Sequence, residues 1–178
     1  MRIRSIVFPL LLSACAVEPR PLPDVLLMQS LDGRGSGVAI APGWVLTAAH
    51  IGLAGAVDHP TLDLALVCHS GAAGSVEFGP APEFGAPLRA IGWHEGEYLL
   101  MTVGTQGHER EMMSCQILPG CSGGAVIDAE GRLVGIVEGV YAHHVLSGPR
   151  VVQLAVPHLA WYTPLTPEVL AWIQETIR

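Results

Sequence analysis

The sequence predicts a mostly β protein, and three observations lead to this expectation. The 178-residue chain has 21 glycines and 14 prolines, which divide its apolar stretches into short runs typical of strands. Two gaps between these runs, 32–33 and 128–131, combine aspartate with glycine, as hairpin turns do. Only the carboxyl-terminal segment has apolar residues at helical spacing. We therefore expect an all-β fold with one α-helix at the end.

The apolar runs predict the strands in chain order. Val25–Ser30 and Gly37–Ile40 flank the first turn, and a third strand, Trp44–Thr47, stops just before His50. The glycine- and proline-rich stretch 71–87 is expected to connect two halves. Further strands are expected within 59–68, 88–93, 98–107, the hairpin 123–140, and 150–157.

The terminal helix is predicted over 167–177. Thr166 can cap it, Pro167 suits its first turn, and Glu168 favours the positive end of the helix dipole. Half of the residues are hydrophobic, so a core of good size is expected.

The amino-terminal segment resembles an export signal. Arg2 and Arg4 precede a short apolar run, 6–12, which is too short for a permanent membrane span. The run ends at Leu-Ser-Ala-Cys, which resembles a bacterial lipobox, so Cys15 is expected to be lipidated; cleavage at the Ala-Cys-Ala site is the alternative. This predicts a signal peptide over 1–14, a proline-rich tether over 15–27, and a protein domain over 28–178.

These segments predict a lipid-anchored protein of the bacterial cell envelope, facing the periplasm or the exterior, with a secreted soluble form as the alternative. In such an oxidising compartment one disulfide among Cys68, Cys115 and Cys121 is possible, and the sequence leaves the pairing open. The net charge of −7 and the absence of lysine argue against nucleic acid as a partner.

Three short segments suggest nucleophilic catalysis when taken together. Ser122 lies in a glycine turn, where small residues leave room for a substrate and let backbone N–H groups point inward. His50 follows two alanines at a strand end, and Asp63 lies in an alternating apolar run, where an unpartnered carboxylate would be costly. Asp58, five residues upstream, could compete with Asp63 for this role.

The segments 35–51, 62–67 and 120–137 resemble the three signature segments of trypsin-like, chymotrypsin-fold serine peptidases, and 167–178 resembles their terminal helix. The order His, Asp, Ser is also the order in that family. The resemblance implies two six-stranded antiparallel β-barrels, about 28–80 and 87–165, the first one trimmed because only twelve residues separate His50 from Asp63.

The resemblance also implies the chemistry. Ser122 would be the nucleophile, His50 the base, and Asp63 the residue that orients it, while the N–H groups of Gly120 and Ser122 would form an oxyanion hole. It implies a serine endopeptidase that needs no metal or organic cofactor and acts on a protein or peptide. The alternatives are a peptide-binding module without catalysis and, more distantly, an esterase.

Four positions depart from the family pattern or stay open. Cys121 replaces an aspartate that many relatives pair with a newly cut amino terminus, so no zymogen switch of that kind is expected. The substrate pocket is expected to include Gln116, Glu138 and Gly139, with uncharged Gln116 near its floor. Glu138 either lines this pocket, raises the pKa of His50 through its charge, or is a plain surface carboxylate.

Overall fold

The computed structural model describes residues 21–31, 33–147 and 150–178, with the backbone alone at 143–147, 150–154 and 157. The predicted signal peptide and Cys15 lie outside the described residues. The strands are β1 (Val25–Gln29), β2 (Arg34–Ala41), β3 (Trp44–Thr47), β4 (Val57–Asp58), β5 (Ala65–Cys68), β6 (Pro87–His94), β7 (Tyr98–Thr105), β8 (Met112–Met113), β9 (Ala125–Ile127), β10 (Leu133–Ser147) and β11 (Arg150–Pro164); the helix α1 is Pro167–Thr176.

The first sheet has five antiparallel strands in the order β1-β2-β3-β5-β4. The predicted hairpin is present, with Val25 opposite Val38 and Gln29 opposite Arg34. The interval between His50 and Asp63 contains only the two-residue β4. This half is therefore an open sheet of five strands, which confirms the trimming and corrects the count of six.

The second sheet has six strands in the order β7-β6-β9-β10-β11-β8. Its two outer strands meet where Gln106 forms an antiparallel bridge with Met113. Beside the bridge, the Ser114 N–H donates to the Thr105 carbonyl at 2.9 Å. These contacts close the sheet into the barrel that the family resemblance implies.

The hairpin of β10 and β11 is longer than the sequence predicts. Its pairs run from Gly135 opposite Pro164 to Ser147 opposite Arg150, so the second strand is fifteen residues long. The register shifts between Val137 and Gly139. This irregularity leaves Glu138 without a partner in the β10–β11 ladder, beside the candidate site.

One hydrophobic core joins the two sheets and the helix. It contains Leu46 and Leu66 from the first sheet, Ile91 and Ile136 from the second, and Ile173 from α1. All five side chains are at most 2 % exposed. Burial of this size contributes about 1.5–3 kcal/mol per large side chain, so the core fixes the relative position of the halves.

The helix α1 begins as the sequence predicts. The Thr166 hydroxyl accepts the Val169 N–H at 3.4 Å, and Pro167 occupies the first turn. Within the described ranges, no helix is long and apolar enough to cross a membrane.

Candidate active site

His50 lies in a 3₁₀ turn, Ala49–Ile51, that directly follows β3. Ala48 is 1 % exposed, so a larger side chain would not fit where the strand enters this turn. Gly52 ends the turn with φ of 69°, and its N–H donates to the Ala49 carbonyl at 3.0 Å. The pair of alanines and the glycine therefore bring the chain sharply out of the core, and the His50 side chain is about half exposed.

Asp63 makes two hydrogen bonds with His50. Its Oδ2 accepts from the Nδ1 of His50 at 2.5 Å, and its Oδ1 accepts the backbone N–H of His50 at 2.8 Å. A carboxylate can only accept, so the proton lies on Nδ1 and the Nε2 of a neutral His50 is free to act as a base. Asp63 lies just before β5 and not within a strand, which corrects the sequence expectation. Asp58 lies on β4.

This pairing shifts the pKa of both groups. The hydrogen bond that His50 donates to Asp63 raises the pKa of His50 above its ordinary 6.5, although partial burial opposes the shift; the negative charges of Asp63 and Glu138 add to it. Burial alone would raise the pKa of Asp63, but its hydrogen bonds from His50 outweigh burial and lower it. Asp63 is therefore ionised at neutral pH and stabilises a protonated His50.

Ser122 lies in a tightly packed loop, 118–124, which we call the nucleophile loop. Gly120 and Gly123 have φ of 91° and 82°, backbone angles that residues other than glycine rarely adopt. A Cβ at Gly124 would lie 2.2 Å from the Ile91 carbonyl oxygen. These glycines are therefore required by the backbone conformation and by the close approach of β6.

The Ser122 hydroxyl donates to the backbone carbonyl of Glu138 at 2.9 Å. Within the described part of the chain, no hydrogen bond joins Ser122 to His50. The structure thus brings His50 and Asp63 into direct contact, and it leaves the Ser122 hydroxyl turned to the neighbouring strand β10.

Two backbone N–H groups of the nucleophile loop are available to a ligand. The Pro119 carbonyl accepts the Glu95 N–H at 3.0 Å. In a trans peptide the N–H points away from the C=O, so the Gly120 N–H is directed away from Glu95. Among the described residues, neither the Gly120 N–H nor the Ser122 N–H has an acceptor. Their assignment as an oxyanion hole stays a prediction.

An apolar pocket of about 240 Å³ lies next to Ser122. Gly139 is part of its lining, as expected, but Glu138 is not, and Gln116 is exposed on the surface elsewhere. Of the three residues predicted for the substrate pocket, Gly139 lines this hollow, and the assignment of Gln116 and Glu138 stays a prediction. The lining residues are Ile117, Leu118, Pro119, Cys121, Ser122, Val137, Gly139 and Val140.

Glu138 instead borders a second hollow, of about 280 Å³, together with Asp63 and Glu111. Partial burial raises the pKa of Glu138, and the negative charge of Asp63 raises it further, while His50 opposes the shift. Of the three interpretations of Glu138, this position favours the one in which its charge acts on His50.

Replacing Glu138 by glutamine is expected to move the acidic limb of kcat/KM to lower pH. A base must be neutral to act, and loss of the Glu138 charge lowers the pKa of His50, so more of the histidine is neutral at any acidic pH. The measurement is a pH profile of peptide or ester hydrolysis. The exposed Glu83→Gln is the matched control, and a limb that moves equally in both variants, or in neither, contradicts the expectation.

Ser36, which the sequence does not single out, contacts the nucleophile loop from the first sheet. Its N–H donates to the Ser122 carbonyl at 2.7 Å, and its hydroxyl donates to the Gly120 carbonyl at 2.9 Å. The only signal in the sequence is a serine between two glycines in β2, which does not reveal a contact 84 residues away.

The three described cysteines are free thiols, so none of the disulfides considered is formed. Cys68 is exposed, whereas Cys115 and Cys121 are buried. Burial raises the pKa of Cys115 to about 11 and also raises the pKa of Cys121. Both buried cysteines therefore carry neutral thiols and pack as apolar residues.

A comparison with known protein families agrees with the fold described above. Residues 53–136, a little under half of the chain, match the family model of the trypsin-like peptidase domain. The match includes Asp63 and Ser122 and begins just after His50. A search of the curated proteins finds no match. The resemblance to trypsin-like peptidases is thus confirmed for the central part of the chain.

Solved structures show the same fold. An inactive form of Rv3671c from M. tuberculosis is 19% identical with a TM-score of 0.65, over 86% of this chain and 85% of that one. The HtrA-type protease AlgW, solved with a decapeptide, is 24% identical with a TM-score of 0.59; the match covers 80% of this chain and 51% of AlgW. A serine endoprotease from Yersinia pestis is 19% identical with a TM-score of 0.62, over 86% of this chain and 61% of that one.

These comparisons agree on the fold. The chain has the chymotrypsin fold, and its likeness extends to HtrA-type proteases, although it spans only about half the length of AlgW. At this level the family match supports a serine protease.

Proposed function

We propose that this protein is a serine endopeptidase that cleaves peptide bonds through His50, Asp63 and Ser122 by way of an acyl-enzyme. The observation that carries the proposal is the pair of hydrogen bonds between Asp63 and His50, which puts the imidazole proton on Nδ1 and leaves Nε2 free to act as a base. A histidine held in this tautomer is what a general base for a hydroxyl requires.

The first step of the proposed reaction requires the Ser122 hydroxyl to change its hydrogen-bond partner. Rotation about the Ser122 side chain takes its hydroxyl from the Glu138 carbonyl to the Nε2 of His50. Catalytic hydrogen bonds are often unformed before substrate binds, so the resting geometry is compatible with this step. Ser122 then attacks the carbonyl carbon while its proton passes to His50.

The following steps are those of acyl transfer. The oxyanion accepts hydrogen bonds from the N–H groups of Gly120 and Ser122, and His50 gives its proton to the departing amine as the C–N bond breaks. Water, deprotonated by His50, then attacks the acyl-enzyme, and the proton returns to Ser122 as the acid product leaves. Asp63 stays ionised and stabilises the protonated His50 in both halves of the cycle.

The apolar pocket beside Ser122 supports a preference for an apolar residue on the acyl side of the cleaved bond. Its described lining residues carry no charged side chain, so an arginine or lysine of the substrate would lose hydration without gaining a partner among them. AlgW was solved with a decapeptide, and an extended peptide is the substrate that we propose here. The lipid anchor at Cys15 and an envelope location remain part of this proposal.

A peptide-binding module without catalysis is the second candidate, and one observation favours it. The Ser122 hydroxyl is bonded to the Glu138 carbonyl and not to His50. If this arrangement persisted with a peptide bound, the cleft would hold the peptide without cleaving it.

A fluorophosphonate probe tests the two candidates against each other. We expect the wild-type protein to be labelled at a single residue, which mass spectrometry assigns to Ser122, and Ser122→Ala to remain unlabelled. Folded wild-type protein that takes up no label would support the binding module. Peptides with valine, leucine, lysine or glutamate before the cleaved bond, run beside nitrophenyl esters, then separate a peptidase from an esterase.

A further inference from the structure

The hydroxyl of Ser36 has both of its hydrogen-bonding roles fixed by its neighbours. It accepts the Trp93 N–H at 2.8 Å and donates to the Gly120 carbonyl at 2.9 Å. An amide N–H can only donate and a carbonyl can only accept, so the hydrogen of the Ser36 hydroxyl must point to the Gly120 carbonyl. Ser36 is 0 % exposed, so water does not replace either bond.

The backbone of Ser36 makes two further hydrogen bonds, one to the nucleophile loop and one within the first sheet. Its N–H donates to the Ser122 carbonyl at 2.7 Å, and its carbonyl accepts the Thr47 hydroxyl at 2.6 Å. One residue of the first sheet therefore holds the carbonyls of Gly120 and Ser122, which flank Cys121 in the nucleophile loop.

Close packing makes this contact possible. A Cβ at Gly35 would lie 2.4 Å from Ile51 and 3.1 Å from the Ser122 carbonyl oxygen, and a Cβ at Gly123 would lie 2.0 Å from the Ser36 carbonyl oxygen. Only backbones without side chains come this near, so the glycines on both sides of the contact allow Ser36 to reach the loop.

The backbone of Gly120 must be held in one conformation if its N–H is to keep a fixed direction. Its φ of 91° lies in a region open to glycine, which exchanges between conformations more readily than other residues. The Pro119 carbonyl is held by the Glu95 N–H on one side of Gly120, and the Gly120 carbonyl is held by Ser36 on the other. With both adjoining peptides fixed, the Gly120 N–H keeps one direction. The neighbouring Cys121 carries a neutral buried thiol and makes no ion pair that could do this instead.

We propose that Ser36 is the positioning residue that keeps the nucleophile loop in its oxyanion-binding conformation, with its hydroxyl holding the Gly120 carbonyl. This inference rests on the proposed function and adds to it a residue of the first sheet that the family match, which begins at residue 53, does not include.

The test compares Ser36→Ala with Thr47→Val. Each variant removes one buried hydroxyl. That of Thr47 donates to the Ser36 carbonyl, and only that of Ser36 holds the Gly120 carbonyl. We expect Ser36→Ala to lower kcat by about 10- to 100-fold with little change in KM, because loss of a single oxyanion donor costs about 10²–10³ in kcat and misplacement costs less. Binding of a peptide aldehyde, which forms a tetrahedral adduct, should weaken in the same proportion. Thr47→Val should keep kcat within about twofold.

Hydrogen–deuterium exchange gives a readout that does not need activity. Peptides covering 118–124 should exchange faster in Ser36→Ala than in Thr47→Val. Equal exchange and equal kcat in the two variants would overturn the role of Ser36, even if the wild type is an active peptidase. If Ser36→Ala accelerates the exchange of 118–124 but fluorophosphonate does not label the wild type, then Ser36 positions the loop and the proposed function is wrong.

A second variant covers poor folding of Ser36→Ala. Ser36→Cys keeps a donor of similar size, but its S–H is a weaker donor. A kcat below that of the wild type, together with faster exchange of 118–124, supports the proposal, and wild-type kcat together with wild-type exchange contradicts it.

Discussion

Replacing Asp63 by asparagine is expected to lower kcat by about 10⁴ while the protein stays folded. Asp63 accepts from the Nδ1 and from the backbone N–H of His50. An asparagine amide that turns its NH₂ toward Nδ1 forces the imidazole proton onto Nε2, which removes the base. The measurement is kcat for a peptide with an apolar residue before the cleaved bond, at the pH plateau of the wild type.

Asp58→Asn is the control for this substitution. Asp58 is the aspartate that the sequence left as an alternative, and it lies on β4, where its residue is exposed. We expect kcat within about twofold of the wild type. A loss of less than tenfold in Asp63→Asn, or a comparable loss in Asp58→Asn, would contradict the assigned role of Asp63.

Replacing Gly123 by alanine is expected to destabilise the protein by about 2–5 kcal/mol and to remove measurable activity. An alanine at φ of 82° costs about 1–2 kcal/mol, and its Cβ would lie 2.0 Å from the Ser36 carbonyl oxygen and 2.3 Å from the Thr47 hydroxyl, so overpacking adds about 1–3 kcal/mol. Urea unfolding followed by circular dichroism measures the free energy of unfolding.

Gly43→Ala separates the two contributions. Gly43 has φ of 79°, but a Cβ there has nothing within 4 Å, so this variant carries the backbone cost alone. We expect a loss of about 1–2 kcal/mol and normal activity. If Gly43→Ala destabilises the protein as much as Gly123→Ala does, close packing at the nucleophile loop is not the cause.

The elements whose ends are set by residues adjacent in the sequence could be predicted from the sequence. Strand β3 was expected at Trp44–Thr47 and is observed there, because an apolar run between Gly43 and the small residues Ala48 and Ala49 has clear ends. The cap at Thr166 was likewise expected, since the capping hydroxyl and its partner are three residues apart.

The features that depend on distant neighbours could not be predicted. The length of β10 and β11 follows from their pairing with each other, and no local signal marks where that pairing ends. Glu138 lies at a register shift of β10 and borders a hollow together with Asp63, and this position depends on the pairing of β10 with β11. Only the family resemblance predicts Gln116 near the pocket floor, and its exposure depends on the path of the chain before the nucleophile loop.

The groups proposed for the chemistry come from two sheets that meet along one seam. His50 follows β3 and Asp63 precedes β5 of the first sheet, Ser122 precedes β9 of the second, and Ser36 of β2 contacts the nucleophile loop. A displacement of one sheet by an ångström leaves every strand intact yet separates base from nucleophile. On gentle heating, hydrolysis should therefore fade before the circular dichroism of the strands changes, so that enzyme assays report how well the seam is held.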